Sequence, residues 1–468
     1  MRGLLFIIMA GWFVGARAAT NDSVLLTVEE AVSRALTHNR AIAAAELDLN
    51  GRAMSAEQAR YQFAFNLAPV ADALVRSSSD SFRYGLVGSQ QLEFGTEIET
   101  GVRADQVDPD NADRTRAGYA YVQVTQPLFR DWGTLVNREG IESADSRTIA
   151  ARRVLELRKQ DIVLQVIETC QGLLRLQRLA ADEQRSIERY DRLLRLTRAK
   201  EKQGRATPVD SLRIALLKGQ AEARKATAEE QRIALQADFA NLLGADSDQR
   251  WMPAERDDLR IARPDRDTAI AIAISNRLDL AQAYQDYTDA QRGLRIARRN
   301  LLPDLSLVGR YERFDSGPDW SEAWAFDEDG WVVGLSADSD LLLRDERLGV
   351  RQAALGEQGA LLRIADADAL VRRQVDQALS ACRRADSDQD IAARNLDLAT
   401  RRANLAQRLF EKGRVDHTSA TDAEIELLDA RTQWLNARAE SEIAGYRLLR
   451  AMGLLVEAPD ELKPHRTP

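Results

Sequence analysis

The residues able to make or break bonds are few and far apart. Histidine occurs three times, at His38, His417 and His465, and none has a partner at metal-ligand spacing. The two cysteines, Cys170 and Cys382, lie in helical stretches with no second ligand nearby, which argues against a disulfide or a metal site. The sequence holds no phosphate-binding loop, no dinucleotide fingerprint and no nucleophile elbow. No enzyme activity, cofactor or metal is therefore expected. What does recur is a pair of turns. Gly204-Arg205 and Gly413-Arg414 each interrupt a long helical pattern, and each is followed 40 residues later by another glycine, Gly244 and Gly453. Glycine just past a helix end is the usual left-handed cap. Two copies at one spacing mark an internal duplication, and a duplication dictates the architecture.

Residues 1–18 read as a signal peptide: Arg2, a short apolar run from Leu4 to Val14, and an Ala16-Arg17-Ala18 cleavage site. The first repeat then runs over 25–244. Thr27 and Glu30 form a capping box at its first helix, which is expected to continue to about Phe63. Strands follow over 66–128, where Leu67, Pro69, Ala71, Ala73 and Val75 alternate with Ala68, Val70, Asp72, Leu74 and Arg76. Within them a hairpin over 84–104 turns at Phe94-Gly95-Thr96. A helix without proline runs from about Trp132 to Gln203, roughly 105 Å at 1.5 Å per residue, and a shorter helix leads to Gly244. Such a rod cannot be buried in a globule and must lie beside others like it. A connector, 245–265, leads to the second repeat, 266–453, with strands over 304–339, a long helix and a short one; 454–468 is a tail. Two short helices laid end to end would match one long helix in length. Asn276-Arg277 matches Asn39-Arg40 at an offset of 237 residues, while the turns match at 209, so 28 residues are inserted among the first repeat's strands.

Strands of about ten residues with one apolar and one polar face have the length and pattern of membrane-spanning β-strands. The export signal, the pairing of strands in each repeat, and the aromatics expected at strand ends (Tyr119, Tyr121, Trp331) favour that reading over a small soluble sheet. One chain offers four such strands, or six with the hairpin, too few to close a barrel alone. Open edges cannot exist in lipid, so the barrel should close by oligomerisation. A net charge of −8 argues against a nucleic-acid partner.

Taken together, the sequence resembles the outer membrane efflux proteins typified by TolC. The duplication carries the resemblance, with Ala35-Leu36-Thr37-His38-Asn39 opening the first copy, Leu301-Leu302-Pro303-Asp304-Leu305 entering a strand, Thr125-Gln126-Pro127-Leu128-Phe129 leaving one, and the 40-residue glycine spacing. The second copy departs from it, reading Ser339-Asp340-Leu341-Leu342-Leu343 at the strand exit. The resemblance implies a homotrimer with a 12-stranded barrel in the outer membrane and a helical barrel of coiled coils in the periplasm. It implies a passive exit duct for tripartite efflux or type I secretion, docked to a periplasmic adaptor (membrane fusion) protein and an inner-membrane transporter. A periplasmic coiled-coil scaffold without a pore is the alternative. The resemblance places an adaptor contact at the tips, Gly204, Arg205, Gly413 and Arg414, and a periplasmic gate just beyond them. Its acidic positions fall on Ser419 and Asp422, with Asp210 in the first copy, and its closing contacts on Phe410 and, displaced by one, Arg414. Asp422 could equally be a solvated first-turn acid held by the helix dipole. Glu97 and Glu99 share a face of the hairpin, so the hairpin is expected to extend the sheet beyond the membrane with the 12-stranded barrel kept, against the alternative of 18 strands.

Overall fold

A computed structural model describes residues 24–76, 79–109, 113–204, 206–245, 251–254, 263–338, 342–412, 414–457, 459 and 464. The signal peptide, Arg205, Gly413, His465 and the strand exit at 339–341 lie outside the described residues. In chain order the elements are β1 (Val24–Leu26), α1 (Val28–His38), α2 (Arg40–Arg60), a 3-10 turn (Tyr61–Phe63), β2 (Asn66–Arg76), β3 (Ser79–Gln91), β4 (Glu97–Pro109) and β5 (Thr115–Pro127). Then come α3 (Thr134–Asn137), α4 (Glu139–Lys202), α5 (Pro208–Leu242), β6 (Trp251–Pro253), α6 (Arg266–Asn276), α7 (Leu278–Arg299), β7 (Leu305–Gly317), α8 (Trp320–Ala323), β8 (Glu328–Ala337), α9 (Arg344–Glu411) and α10 (His417–Ala451). Two compact units form, and both draw on both repeats: Met1–Asn39, Gln165–Leu259 and Ser387–Ile443 in one, and Arg40–Leu164, Arg260–Asp386 and Ala444–Pro468 in the other.

The second unit holds one antiparallel sheet in the order β2-β3-β4-β5-β7-β8. The hairpin, expected to extend the sheet beyond the membrane, lies within the sheet, between β2 and β5. β3 and β4 pair along their whole length, Ser79 with Pro109 through Gln91 with Glu97, while β3 also pairs with β2 and β4 with β5. The reason is register: residues directly opposite share a face, and the hairpin's alternation continues that of its neighbours. Gly88, Thr100, Val122, Tyr311 and Trp331 line up across one face, and Val87, Gly101, Tyr121, Glu312 and Gly330 across the other. The first face exposes Leu67, Leu86, Val102, Val122, Trp331 and Leu335. The second carries the charges. Asp105 lies 3.3 Å from Arg83 and 3.1 Å from Arg103, Arg310 pairs with Glu312 at 2.8 Å, and the Tyr121 hydroxyl donates to Glu99 at 2.6 Å. Arg103 stacks on Tyr119 and Arg310 on Tyr121. Tyr119 and Tyr121, expected at strand ends, therefore sit mid-strand on the charged face, where their rings shield guanidinium groups.

The same unit packs α6, α7, α9 and α10 around Ala269, Ala273, Leu280, Val371, Val375 and Leu448. Arg277 holds Asp279 in a two-pronged pair, at 2.9 and 2.5 Å, and donates to the Ala451 carbonyl at 3.3 Å. In the first unit β1 and β6 form a parallel ladder, so part of the stretch read as a connector is tied down. There the long helices pair with the shorter ones through Tyr190, Leu194, Ile214 and Ala221 on α4 and α5, and through Ala403, Ala423 and Leu427 on α9 and α10.

The first helix of each repeat breaks in two, α1/α2 at Asn39 and α6/α7 at Arg277, a break the apolar periodicity did not reveal. The break also explains the second glycine of each repeat. Asn39 Nδ2 donates to the Leu242 carbonyl at 2.8 Å, and Gly244, at φ 65°, abuts the His38 carbonyl; a Cβ there would lie 2.0 Å from that oxygen. Gly453, at φ 73°, meets the Asn276 carbonyl in the same way; a Cβ there would lie 3.0 Å from that oxygen. Gly204, at φ 70°, faces open space. Gly204→Ala should therefore cost about 1 kcal/mol, the left-handed penalty alone. Gly244→Ala adds a backbone clash and should lower the thermal midpoint, followed by helical circular dichroism, several times as far.

Candidate functional site

The sequence points to the ends of the helices around Gly204 and Arg414, all within the first unit. Thr207 opens α5 as a capping box, its backbone N–H donating to Asp210 at 2.8 Å. Asp210, a predicted gate acid, thus serves the helix end. Ser419 stands in the first turn of α10, where its own N–H donates to Asp416 at 2.9 Å. Phe410 is buried, and the Lys200 ammonium lies 3.6 Å from its ring centre while donating to its carbonyl at 3.1 Å. The cation on the face of the Phe410 ring is worth about 0.5–2 kcal/mol. The Arg414 side chain is exposed, and its backbone N–H returns to the Leu409 carbonyl at 2.8 Å.

Asp422 does not stand alone. Arg213 of α5 reaches it at 3.2 Å, with both side chains nearly half exposed. Arg213 and Asp422 occupy equivalent places in the two repeats, 209 residues apart, so the duplication presents opposite charges at one level. That pairing was available in the sequence, because the repeat offset alone brings the two positions into correspondence.

Further along, charged groups zip the helices together. Glu183, only 2% exposed, accepts from Arg224 at 2.7 Å; Lys218 donates to Asp191 at 3.0 Å; Arg431 lies 2.9 Å from Asp182; Arg189 pairs with Glu424. A crevice of about 80 Å³ opens beside this ladder, lined by Tyr190, Leu193, Leu196, Phe410 and Glu424. Burial pushes the Tyr190 hydroxyl up to about 12. Burial also raises Glu424 above the ordinary carboxylate range, with Arg189 opposing it. Cys170 is buried and its thiol is pushed up to about 12 by desolvation, so it packs as an inert side chain. Among the described residues no cluster of His, Cys, Asp and Glu could hold a metal ion, and no helix is long and apolar enough to cross a membrane.

Residues 269–454 match the family model for outer membrane efflux proteins. That stretch, the second repeat, is similar to the family, and the fold of the chain resembles solved outer-membrane channels over nearly its whole length. The outer-membrane channel OprN is 18% identical, with a TM-score of 0.70 over 91% of this chain and 89% of that one. VceC of Vibrio cholerae is 15% identical, with a TM-score of 0.70 over 91% and 96%. CmeC, the outer membrane channel of Campylobacter jejuni, is 13% identical, with a TM-score of 0.72 over 97% and 95%. No curated protein sequence matches the chain.

The pair of Arg189 and Glu424 yields a pH test. A carboxyl whose folded pKa lies above its unfolded value binds its proton more tightly in the native state. Acidification from neutral pH through the native value towards pH ~4 should therefore relieve strain at Glu424, and Glu424→Gln should flatten that part of the stability profile. Arg189→Met, which leaves the carboxylate buried and unpaired, should cost about 3–5 kcal/mol at neutral pH, most of it regained in Arg189→Met/Glu424→Leu.

Proposed function

We propose that three copies of this chain form a passive exit duct across the outer membrane, through which an inner-membrane transporter and its periplasmic adaptor discharge cargo. The observation that carries this is the sheet: one face exposes most of its large apolar side chains, the other holds the paired charges of β3, β4 and β7, and among the described residues the outermost strands, β2 and β8, each leave one edge unpaired. Hydrocarbon tolerates the apolar face but not the open edges, so neighbouring copies must cover them. The helices support the same reading. Leu348, Leu355 and Leu362 of α9 recur every seven residues and are exposed, as do Ile391, Leu398 and Leu405 farther along. An exposed heptad stripe asks for a helix from another copy to pack against.

In this reading the tips, Gly204-Arg205 and Gly413-Arg414, meet the adaptor. The exposed Val209, Leu212 and Leu216 in the first turns of α5 extend the apolar surface there. Asp422 contributes to the gate, with Asp210, Ser419 and Phe410 shaping its walls and Arg414 holding the closed state. Arg213 neutralises Asp422 within one chain, and a pair so exposed is worth less than about 1 kcal/mol, cheap enough to open and close.

Heat-modifiable trimers that conduct ions in planar bilayers are the expected result; a chain that remains a non-conducting coiled coil is a scaffold. Asp422→Ala should weaken block by multivalent cations added from the periplasmic side, while Arg213→Ala, which frees the carboxylate, should strengthen it several-fold, with assembly unchanged. Identical block in all three proteins would remove Asp422 from the aperture. Photocross-linking from Arg205 or Arg414 should capture the adaptor, and capture of lipid alone would exclude the tips as its docking surface.

A further inference from the structure

The family's barrel is expected to have twelve strands, four from each copy. Nothing in this sheet allows two strands to be set aside. β3 and β4 are 13 residues each, as long as β5 and β7, and longer than β2 and β8. A tilted membrane strand needs ~9–11 residues, so all six are long enough to cross. The hairpin lies between β2 and β5 with no break in the ladder, so leaving it outside the membrane would strand β2 away from the rest of the sheet. Its faces continue the pattern on both sides: Leu86 and Val102 join Ala120 on the apolar face, and Arg83, Glu99 and Arg103 join Tyr121 and Arg310 on the charged face. Glycine makes the charged face fit. A Cβ on Gly101 would lie 2.8 Å from the Tyr121 ring, the ring that reaches Glu99. Charge on the hairpin, the feature that spoke for a place outside the membrane, meets partners within the hairpin and on β5, Arg83 and Arg103 with Asp105 and Glu99 with Tyr121, and faces inward.

We propose that the wall of this channel is an eighteen-stranded barrel, six strands from each of three copies, closed where β2 of one copy meets β8 of the next. The proposal rests on the trimeric reading above. Barrel diameter grows roughly linearly with strand number, so this barrel is about one and a half times as wide as a twelve-stranded one. At that size side chains no longer fill the interior, and the lumen is an open aqueous passage. Its lining is zwitterionic, with acids and guanidinium groups already paired on the wall, so it discriminates little by charge. The hairpin then enlarges the outer end of the duct, and selection is left to the helical end.

Single cysteines test the hairpin's place, since native Cys170 and Cys382 are buried and give little background. In outer membranes, a charged thiol reagent should modify Leu86→Cys and Val102→Cys at least about tenfold more slowly than Arg83→Cys and Val87→Cys, because lipid covers the first pair and lumen water reaches the second. Equal rates at all four positions would put the hairpin outside the membrane and overturn the proposal. Electron microscopy of the purified wild-type assembly then counts copies and measures the wall. Three copies with the wider diameter is the expected result. Three copies with the narrower diameter would overturn the eighteen strands and leave the trimer standing. Another copy number with the same thiol pattern would overturn the trimeric reading, and the count with it, while keeping the hairpin in the wall.

Discussion

Hydrocarbon supplies no hydrogen-bond partner, and each backbone group left unpaired in it costs several kcal/mol. That constraint governs this protein. Within the sheet the ladders from β2 to β8 satisfy the inner strands completely, and the two outer edges are left over. Among the described residues no further strand joins this sheet, so in the proposed reading neighbouring copies cover its edges.

The same sheet must keep its two faces apart. A slip of one residue between any two strands would turn Trp331 and Leu335 towards water and Arg310 and Glu312 towards lipid. The charged side chains resist such a slip because their partners lie on neighbouring strands: Arg83 with Asp105, Tyr121 with Glu99, Arg310 over Tyr121. Each contact is modest, but all would be lost together. The ion pairs of the polar face thereby hold the register that the apolar face requires.

The helices meet a different problem. At ~1.5 Å per residue the 64 residues of α4 and the 68 of α9 make rods of roughly 100 Å, with no globule to bury them. Small residues such as Ala221, Ala403 and Ala423 permit close approach, and apolar contact alone would leave such helices free to slide. Glu183 with Arg224, Asp182 with Arg431 and Glu424 with Arg189 prevent that, since separating a partly buried pair strands a charge in a poor dielectric. Near the helix ends the pairs become exposed, as with Arg213 and Asp422, and their hold weakens. The ladder is thus firmer at Glu183 and Glu424 than at Arg213 and Asp422 near the helix ends.

Periodicity alone determined much of this architecture. The 40-residue glycine spacing, the 209-residue offset and the alternation from Leu67 to Val75 established the duplication, the long helices and the strands, because local steric preference and a repeated solvent boundary leave direct marks on sequence. The left-handed Gly204, the capping box at Thr27 and the apolar face shared by Ala120, Val122 and Val124 were legible for the same reason. Other features depended on which segments became neighbours. Nothing local to Asn39 announces a break; it forms because the Leu242 carbonyl and Gly244, two hundred residues away, receive it. Nothing in Glu99 says whether a charged face looks into solvent or towards its own sheet; Tyr121 of β5, which donates to it, decides. Asp422 read alone is one acid in a first helical turn, and Arg213 gives it a second meaning. Sequence fixes what each face of an element can tolerate; tertiary structure decides what that face meets, because pairing across a sheet or between helices is a choice among distant segments that local patterns do not rank.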